Sequence, residues 1–243
     1  MATISDLDEP FDGTATDELT TANTKVDNFS GGTSAASYFS ATHVEGTTSA
    51  EVNINGTNRI MRFNLTAAAL IHLDVYVEVV TAPQATTAII NWYSGETLKV
   101  GDVRCVYVTP TTFQFQLRDA STAKWTSTTL PQGQYRLGIK IQPNSSTGHS
   151  LSVYTGATID TVPVEVSGDQ IATTAGATTV DNVRIGIMSN VTGKIRYDGM
   201  TADDTSPVVR TAPDAVTTLP WKVRVSGAWA TPVVKTRVGG AWV

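Results

Sequence analysis

Apolar side chains recur at every second position through most of this chain, and no dozen consecutive residues carry them at helical spacing. In residues 59–65, Met61, Phe63 and Leu65 share one face of an extended strand. Phe113, Phe115 and Leu117 alternate with Gln114, Gln116 and Arg118, and Tyr135, Leu137, Ile139 and Ile141 alternate with Arg136, Lys140 and Gln142. Residues 88–92 and 183–188 are less polar and read as central strands. Turn formers separate the runs: Asn55-Gly56, Ser94-Gly95, Pro131 to Gly133, Ser167 to Asp169, and Asp198-Gly199. Residues 66–70 allow a brief helical turn at most. Many strands, close turns and no crossover helix predict an antiparallel all-β fold, a jelly-roll sandwich.

Composition narrows the class. Charged residues make up 16% of the 243 positions, below the usual quarter, while hydrophobics at 41% suffice for a core. Such a surface suits an extracellular-type or virion β protein. The net charge of −5 supplies no field that would draw nucleic acid. Cys105 is the sole cysteine and sits in the strand pattern of residues 103–108, so it is expected to be a core hydrophobe. The opening residues lack a basic stretch followed by an apolar one, and no apolar run reaches the roughly 18 residues of a membrane span. Cytoplasmic synthesis without a signal peptide and without membrane insertion is therefore expected. No dinucleotide loop, phosphate loop or nucleophile elbow is present, and no cofactor is expected.

The C-terminus says one thing twice. Arg224-Val225-Ser226-Gly227-Ala228-Trp229 returns thirteen positions later as Arg237-Val238-Gly239-Gly240-Ala241-Trp242. Each copy has the form of a small hairpin around a Ser-Gly or Gly-Gly pair. Isolated hairpins are marginal in water, so Trp221, Trp229 and Trp242 need a surface to bury them. Trp221, Arg224, Trp229, Arg237 and Trp242 are accordingly the expected assembly contacts. Four segments follow: an acidic arm over 1–24, a sandwich over 25–205, a Pro-rich linker over 206–220 and the hairpin tag over 221–243. The arm carries six acids and no Lys or Arg, whereas basic residues dominate from Pro207 onward. That asymmetry fits head-to-tail contacts between copies and fits two solvated arms equally well.

Several stretches stand in a familiar order: residues 27–33 (Asp-Asn-Phe-Ser-Gly-Gly-Thr), the strands at 59–65 and 71–80, residues 113–119, residues 130–137 and the late strand at 180–186. Over roughly residues 25–200 this order resembles the laminin-G-like (concanavalin A-like) jelly rolls of phage virion proteins. The terminal Ser-Gly-Ala-Trp and Gly-Gly-Ala-Trp-Val resemble endings of virion proteins, especially minor tail proteins, of phages infecting actinobacteria. The resemblance implies a virion component of minor tail or decoration type. Its implied partners are other virion proteins and further copies of itself, a trimer being frequent among fibre-like virion proteins.

Residues 71–79 carry the chain's densest row of reactive side chains, with His72, Asp74, Tyr76 and Glu78 facing away from Ile71, Leu73, Val75, Val77 and Val79. The row resembles the Glu-x-Asp-x-Glu strand of jelly-roll glycoside hydrolases, with His72 in place of the first Glu. Asp74 and Glu78 would lie ~13 Å apart, beyond the ~5–9.5 Å that hydrolysis needs. His72 and Asp74 alone are too few to hold a metal, Asp198, Asp203 and Asp204 form no calcium loop, and no metal is expected. His43 and His149 read as loop histidines. Sugar binding needs aromatic platforms beside hydrogen-bonding groups. Trp92, Tyr93 and Trp125, with His72, Asp74 and Glu78, are the candidate glycan residues. The expected function is thus a non-enzymatic virion structural role with host-surface glycans as candidate ligands. A carbohydrate-binding module or glycanase acting on envelope polysaccharide is the alternative.

Overall fold

The computed structural model describes residues 8–9, 11, 13, 19–22, 24, 26–30, 37–40, 43, 48–54, 59–156, 162–174, 176–207, 223–225, 228–230, 237–238 and 241–242. In chain order the strands are β1 (Asp8–Glu9), β2 (Asn28–Ser30), β3 (Ser37–Ser40), β4 (Ser49–Ile54), β5 (Arg59–Ala68), β6 (Ile71–Thr81) and β7 (Thr87–Ser94). They continue as β8 (Leu98–Thr109), β9 (Thr112–Asp119), β10 (Thr122–Thr126), β11 (Leu130–Pro131), β12 (Gly133–Ile141), β13 (Ser145–Thr155), β14 (Glu165–Val166), β15 (Gln170–Ala172), β16 (Val180–Ile187) and β17 (Gly193–Asp203). Four short strands close the series: β18 (Val223–Val225), β19 (Ala228–Ala230), β20 (Arg237–Val238) and β21 (Ala241–Trp242).

Two antiparallel sheets form the sandwich. One has the order β14-β13-β12-β6-β17-β4-β3, with β1 beside β17 and β15 beside β13. The other has the order β10-β9-β8-β7-β16-β5-β2, with β11 beside β9. The all-β jelly-roll expectation holds. No helix occurs among the described residues, and β5 runs through Ala68 where a helical turn had been allowed. Asp198-Gly199 is no turn between strands. Gly199 has φ of 47° inside β17, and pairing with β6 shifts register between Asp198 and Thr201, which marks a bulge.

Alternation drives the burial. Along β9 buried Phe113, Phe115 and Leu117 are interleaved with half-exposed Gln114, Gln116 and Arg118. β7 is buried from Thr87 to Trp92, which fits its place between β8 and β16. Phe113, Phe115 and Tyr135 meet edge to face with centroids 4.9 to 5.7 Å apart, and so join the two sheets. Cys105 is buried, and burial pushes its thiol far above the usual range, as a core role requires. Glu9, Phe11 and Leu19, from the acidic N-terminal stretch, are buried against the sandwich.

His149 is not a loop histidine. It lies on β13 with no solvent exposure, edge-on to Trp92 at 5.2 Å, and its Nδ1 accepts the Gln142 backbone N–H at 3.2 Å. A second proton would have to displace that hydrogen bond.

Residues 210–243 form a separate compact unit. Within it β18 pairs antiparallel with β19, placing Arg224 opposite Trp229, and β20 pairs with β21, placing Arg237 opposite Trp242. The two repeats are thus two hairpins in backbone terms. Trp221, most of the Pro-rich stretch and the side chains of Arg224, Trp229, Arg237 and Trp242 lie outside the described residues.

Burial lowers the pKa of His149 to about 4 from 6.5, outweighing the pull of Asp119. The unfolded chain therefore takes up a proton near pH 6.5 that the folded chain refuses until about pH 4. Stability should fall as pH drops through that window, by about 3 kcal/mol, and should be insensitive to this ring above pH 7. Urea unfolding at neutral pH and near the lower limit measures this, and His149→Leu should flatten the difference.

Candidate functional site

The outer face of the first sheet gathers the polar rows of its central strands. Register places Lys140 of β12 beside His72 of β6, Gly138 beside Asp74, Arg136 beside Tyr76 and Gln134 beside Glu78. On the far side of β12, Ser150, Ser152 and Tyr154 of β13 stand opposite Lys140, Gly138 and Arg136. On the other flank of β6, Asp203, Thr201, Asp198 and Arg196 of β17 stand opposite His72, Asp74, Tyr76 and Glu78.

Gly138 contributes no side chain to the middle of this face, and a cleft of about 230 Å³ opens over it. His72, Asp74, Arg136, Lys140 and Tyr154 form its walls, together with Ser150, Ser152 and Pro207. Arg136 is pinned. Its guanidinium lies 3.9 Å from the centre of the Tyr154 ring, and its Nη1 is 3.8 Å from Asp74 Oδ2, with both partners of that ion pair buried. Lys140 Nζ donates to the Asp169 carboxylate from the turn after β14. Burial lowers the pKa of His72, opposed by Asp203 and reinforced by Lys140, so the imidazole is neutral at pH 7. Asp203 caps its own turn. Its Oδ1 accepts the Thr205 hydroxyl at 2.7 Å and the N–H groups of Thr205 and Ser206 at 2.7 and 2.8 Å, which hold the carboxyl below its usual range.

The predicted residues divide. His72 and Asp74 share the cleft. Glu78 lies beyond it, bound to Arg196 Nη1 at 2.8 Å; Arg196 Nε in turn reaches Glu51 at 2.6 Å, and Lys194 reaches Glu51 at 2.9 Å. Trp92 is no sugar platform, because it is fully buried among core residues and against His149. Tyr93 is on the opposite sheet with the Arg184 guanidinium 3.8 Å over its ring, so that face is already covered. Trp125 packs partly buried against the core from β10, also on the opposite sheet. Arg136, Gly138, Lys140 and Tyr154 were missed as site residues. The outward phase of Arg136 and Lys140 on β12 was legible, but nothing local tells that β12 runs beside β6 and β13 beside β12. Among the described residues no group of three or more His, Cys, Asp or Glu side chains is placed to hold a metal.

No protein-family profile and no curated protein matches the sequence. Solved structures do match its fold. A mutant alginate lyase in complex with alginate trisaccharide is 15% identical over 84% of this chain and 100% of that one, with a TM-score of 0.56. A marine alginate lyase from Aplysia kurodai is 6% identical over 74% of this chain and 91% of its own, with a TM-score of 0.50. The sialidase of Trypanosoma rangeli is matched over only 26% of its length, at 14% identity and a TM-score of 0.47, too loosely to bear on function. The likeness is one of fold. It overturns the expectation that the chain is not an enzyme, because the sandwich it matches is one on which enzymes are built.

Arg136 and Asp74 are both buried, so removing one takes an opposite charge away from the other in a poorly screened setting. Arg136→Met is expected to lower stability by about 3 kcal/mol, measured by urea unfolding at pH 7.

Proposed function

We propose that this chain binds an acidic polysaccharide across the outer face of the first sheet and cleaves it by β-elimination in the cleft over Gly138. One observation carries the proposal: a neutral histidine, two cations and a tyrosine converge on a single open cleft. β-Elimination from a uronate needs a base for the proton next to the carboxylate, positive charge to offset the carboxylate as it gains electron density, and a proton for the departing oxygen. Neutral His72 takes the proton. Arg136 and Lys140 offset the carboxylate, with Lys140 exchanging the Asp169 carboxylate for that of the sugar. As the C–H electron pair forms the new carbon–carbon double bond, the bond to the leaving sugar breaks, and Tyr154 is the assigned donor to its oxygen. Hydrolysis is less well served. Asp74 lies in the cleft and Glu78 outside it, four residues apart on β6, or ~13 Å, too far for a carboxylate pair.

The match in fold to alginate lyases supports this reading without specifying a substrate. Incubation with uronate-containing polysaccharides, both those with a uronate on every ring and those in which uronate alternates with an uncharged sugar, followed by the ultraviolet absorbance of the unsaturated product, tests it. His72→Gln should lower kcat by about 100-fold or more with the fold intact by circular dichroism. Because burial holds the His72 pKa below 6.5, the acid limb of the rate profile should fall below pH 6.5. A native chain that cleaves no uronate-containing polysaccharide, whether its uronates are consecutive or alternate with uncharged sugars, rejects the proposal.

We further propose that residues 210–243 carry the sandwich on a larger assembly, as a phage minor tail or decoration component whose glycan target is on the host surface. The tandem hairpins support this, as does the resemblance of the C-terminal repeats to virion protein endings. The division into arm, sandwich, linker and tag, and the contacts through Trp221, Trp229 and Trp242, belong to this proposal. Deleting residues 221–243 should reduce incorporation into particles. Full incorporation of the truncated chain would reject the anchoring role.

A further inference from the structure

We infer that the glycan taken by this face carries its carboxylates sparsely, alternating with uncharged sugars, and is not a polymer with one carboxylate on every ring. The inference rests on the polysaccharide site proposed above and goes further by naming its substrate class. The outward row of β6 runs from His72 to Glu78, six residues or ~20 Å, which extends past the cleft and is long enough to meet several sugars of an extended chain. The cations along that row are held unevenly: at the cleft Arg136 stands 3.8 Å from Asp74 and Lys140 is on a half-exposed acid, whereas at the other end Arg196 is 2.6 and 2.8 Å from two acids.

At the cleft the cations are Arg136 and Lys140, each beside a carboxylate, Asp74 and Asp169. His72 adds no charge at neutral pH, and Asp203, opposite it on the neighbouring strand, is half-exposed and held ionised by the N–H and hydroxyl groups of its turn. At the other end Arg196 is held between Glu78 and Glu51, and Lys194 is also on Glu51. Between the two ends Asp198 lies buried opposite Tyr76, its Oδ1 accepting the Gly199 N–H at 2.9 Å. Four cations thus stand against six carboxylates along this row. Three of those carboxylates, Asp74, Glu51 and Asp198, are buried, where water screens them least.

A carboxylate bound over Gly138 is met by two cations. A second carboxylate on a neighbouring ring toward Glu78 meets a surface whose cations are already committed to acids. Unpaired like charge selects against such a ligand by repulsion. A neutral or N-acetylated sugar there incurs no such penalty, and its hydroxyls are natural donors to the carboxylates of that flank.

Binding of the full chain to two probes tests this: alginate, with a carboxylate on every ring, and hyaluronan, in which uronate alternates with an N-acetylated sugar. At low salt hyaluronan should bind about tenfold or more tightly than alginate, and added salt should narrow the gap by screening the repulsion. Glu78→Gln, which leaves the Arg196–Glu51 pair in place, should raise alginate affinity about threefold or more and change hyaluronan affinity less than about twofold. Alginate binding as tightly as hyaluronan to the native chain at low salt would overturn the inference and leave the acidic-polysaccharide site standing. Binding of neither polymer would overturn that site as well.

Discussion

Strand β6 is the constraint on which the rest depends. Its inward row, Ile71, Leu73, Val75, Val77 and Val79, is fully buried, and its outward row carries His72, Asp74, Tyr76 and Glu78. It pairs with β12 over nine consecutive positions and with β17 on its other side. Because side chains alternate strictly, a slip of one residue would drive the acids into the core and the valines into the cleft. Core and site are therefore two faces of one register, and neither can be shifted without the other. Tyr197 of β17 reinforces the arrangement from within. Its buried hydroxyl reaches the carbonyls of Gly186 and Ile89 on the opposite sheet at 3.0 and 3.1 Å, a polar tie across an otherwise apolar layer.

The polar face is ordered in advance of any ligand. Arg136 is stacked on Tyr154 and set against Asp74, so its long side chain loses little further freedom when it meets a carboxylate. Lys140 differs. Its partner Asp169 is half exposed on a turn, and a surface pair of that kind is weak enough to be exchanged. The cleft thus combines one fixed cation with one that can follow the ligand. In the proposed elimination His72 is the base, because burial keeps it neutral where an exposed imidazole would begin to take up a proton.

What could be seen in the chain beforehand followed the range of the forces involved. Alternation is a local property, so the strands at 59–65, 113–117 and 135–141 and the two faces of β6 were legible. Trp92 was misjudged for a reason of packing. Gly101 on β8 leaves room for its indole, such that a Cβ there would lie 2.6 Å from the ring, and only the pairing of β7 with β8 reveals that pocket. His149 was misplaced likewise, since nothing near it in sequence shows that it meets Trp92. His72 and Asp74 were found because they share a strand. Arg136, Lys140 and Tyr154 lie on strands some sixty to eighty residues away in sequence, and their convergence on His72 is a fact of topology.

The same topology separates the two kinds of sugar chemistry a jelly roll can host. A retaining or inverting hydrolase needs two carboxyls facing each other across one sugar, which on a flat sheet means acids on adjacent strands or two positions apart. Here the acids nearest the cleft serve other groups: Asp74 sets Arg136, Asp169 holds Lys140 and Asp203 caps a turn. The acid four residues along β6 is bound to Arg196. Carboxylates on this face position cations and turns, and the groups left to meet a substrate are an imidazole, a phenol and the cations themselves. That division of labour suits removal of a proton beside a negatively charged carboxylate. It does not suit protonation and nucleophilic attack by a pair of acids.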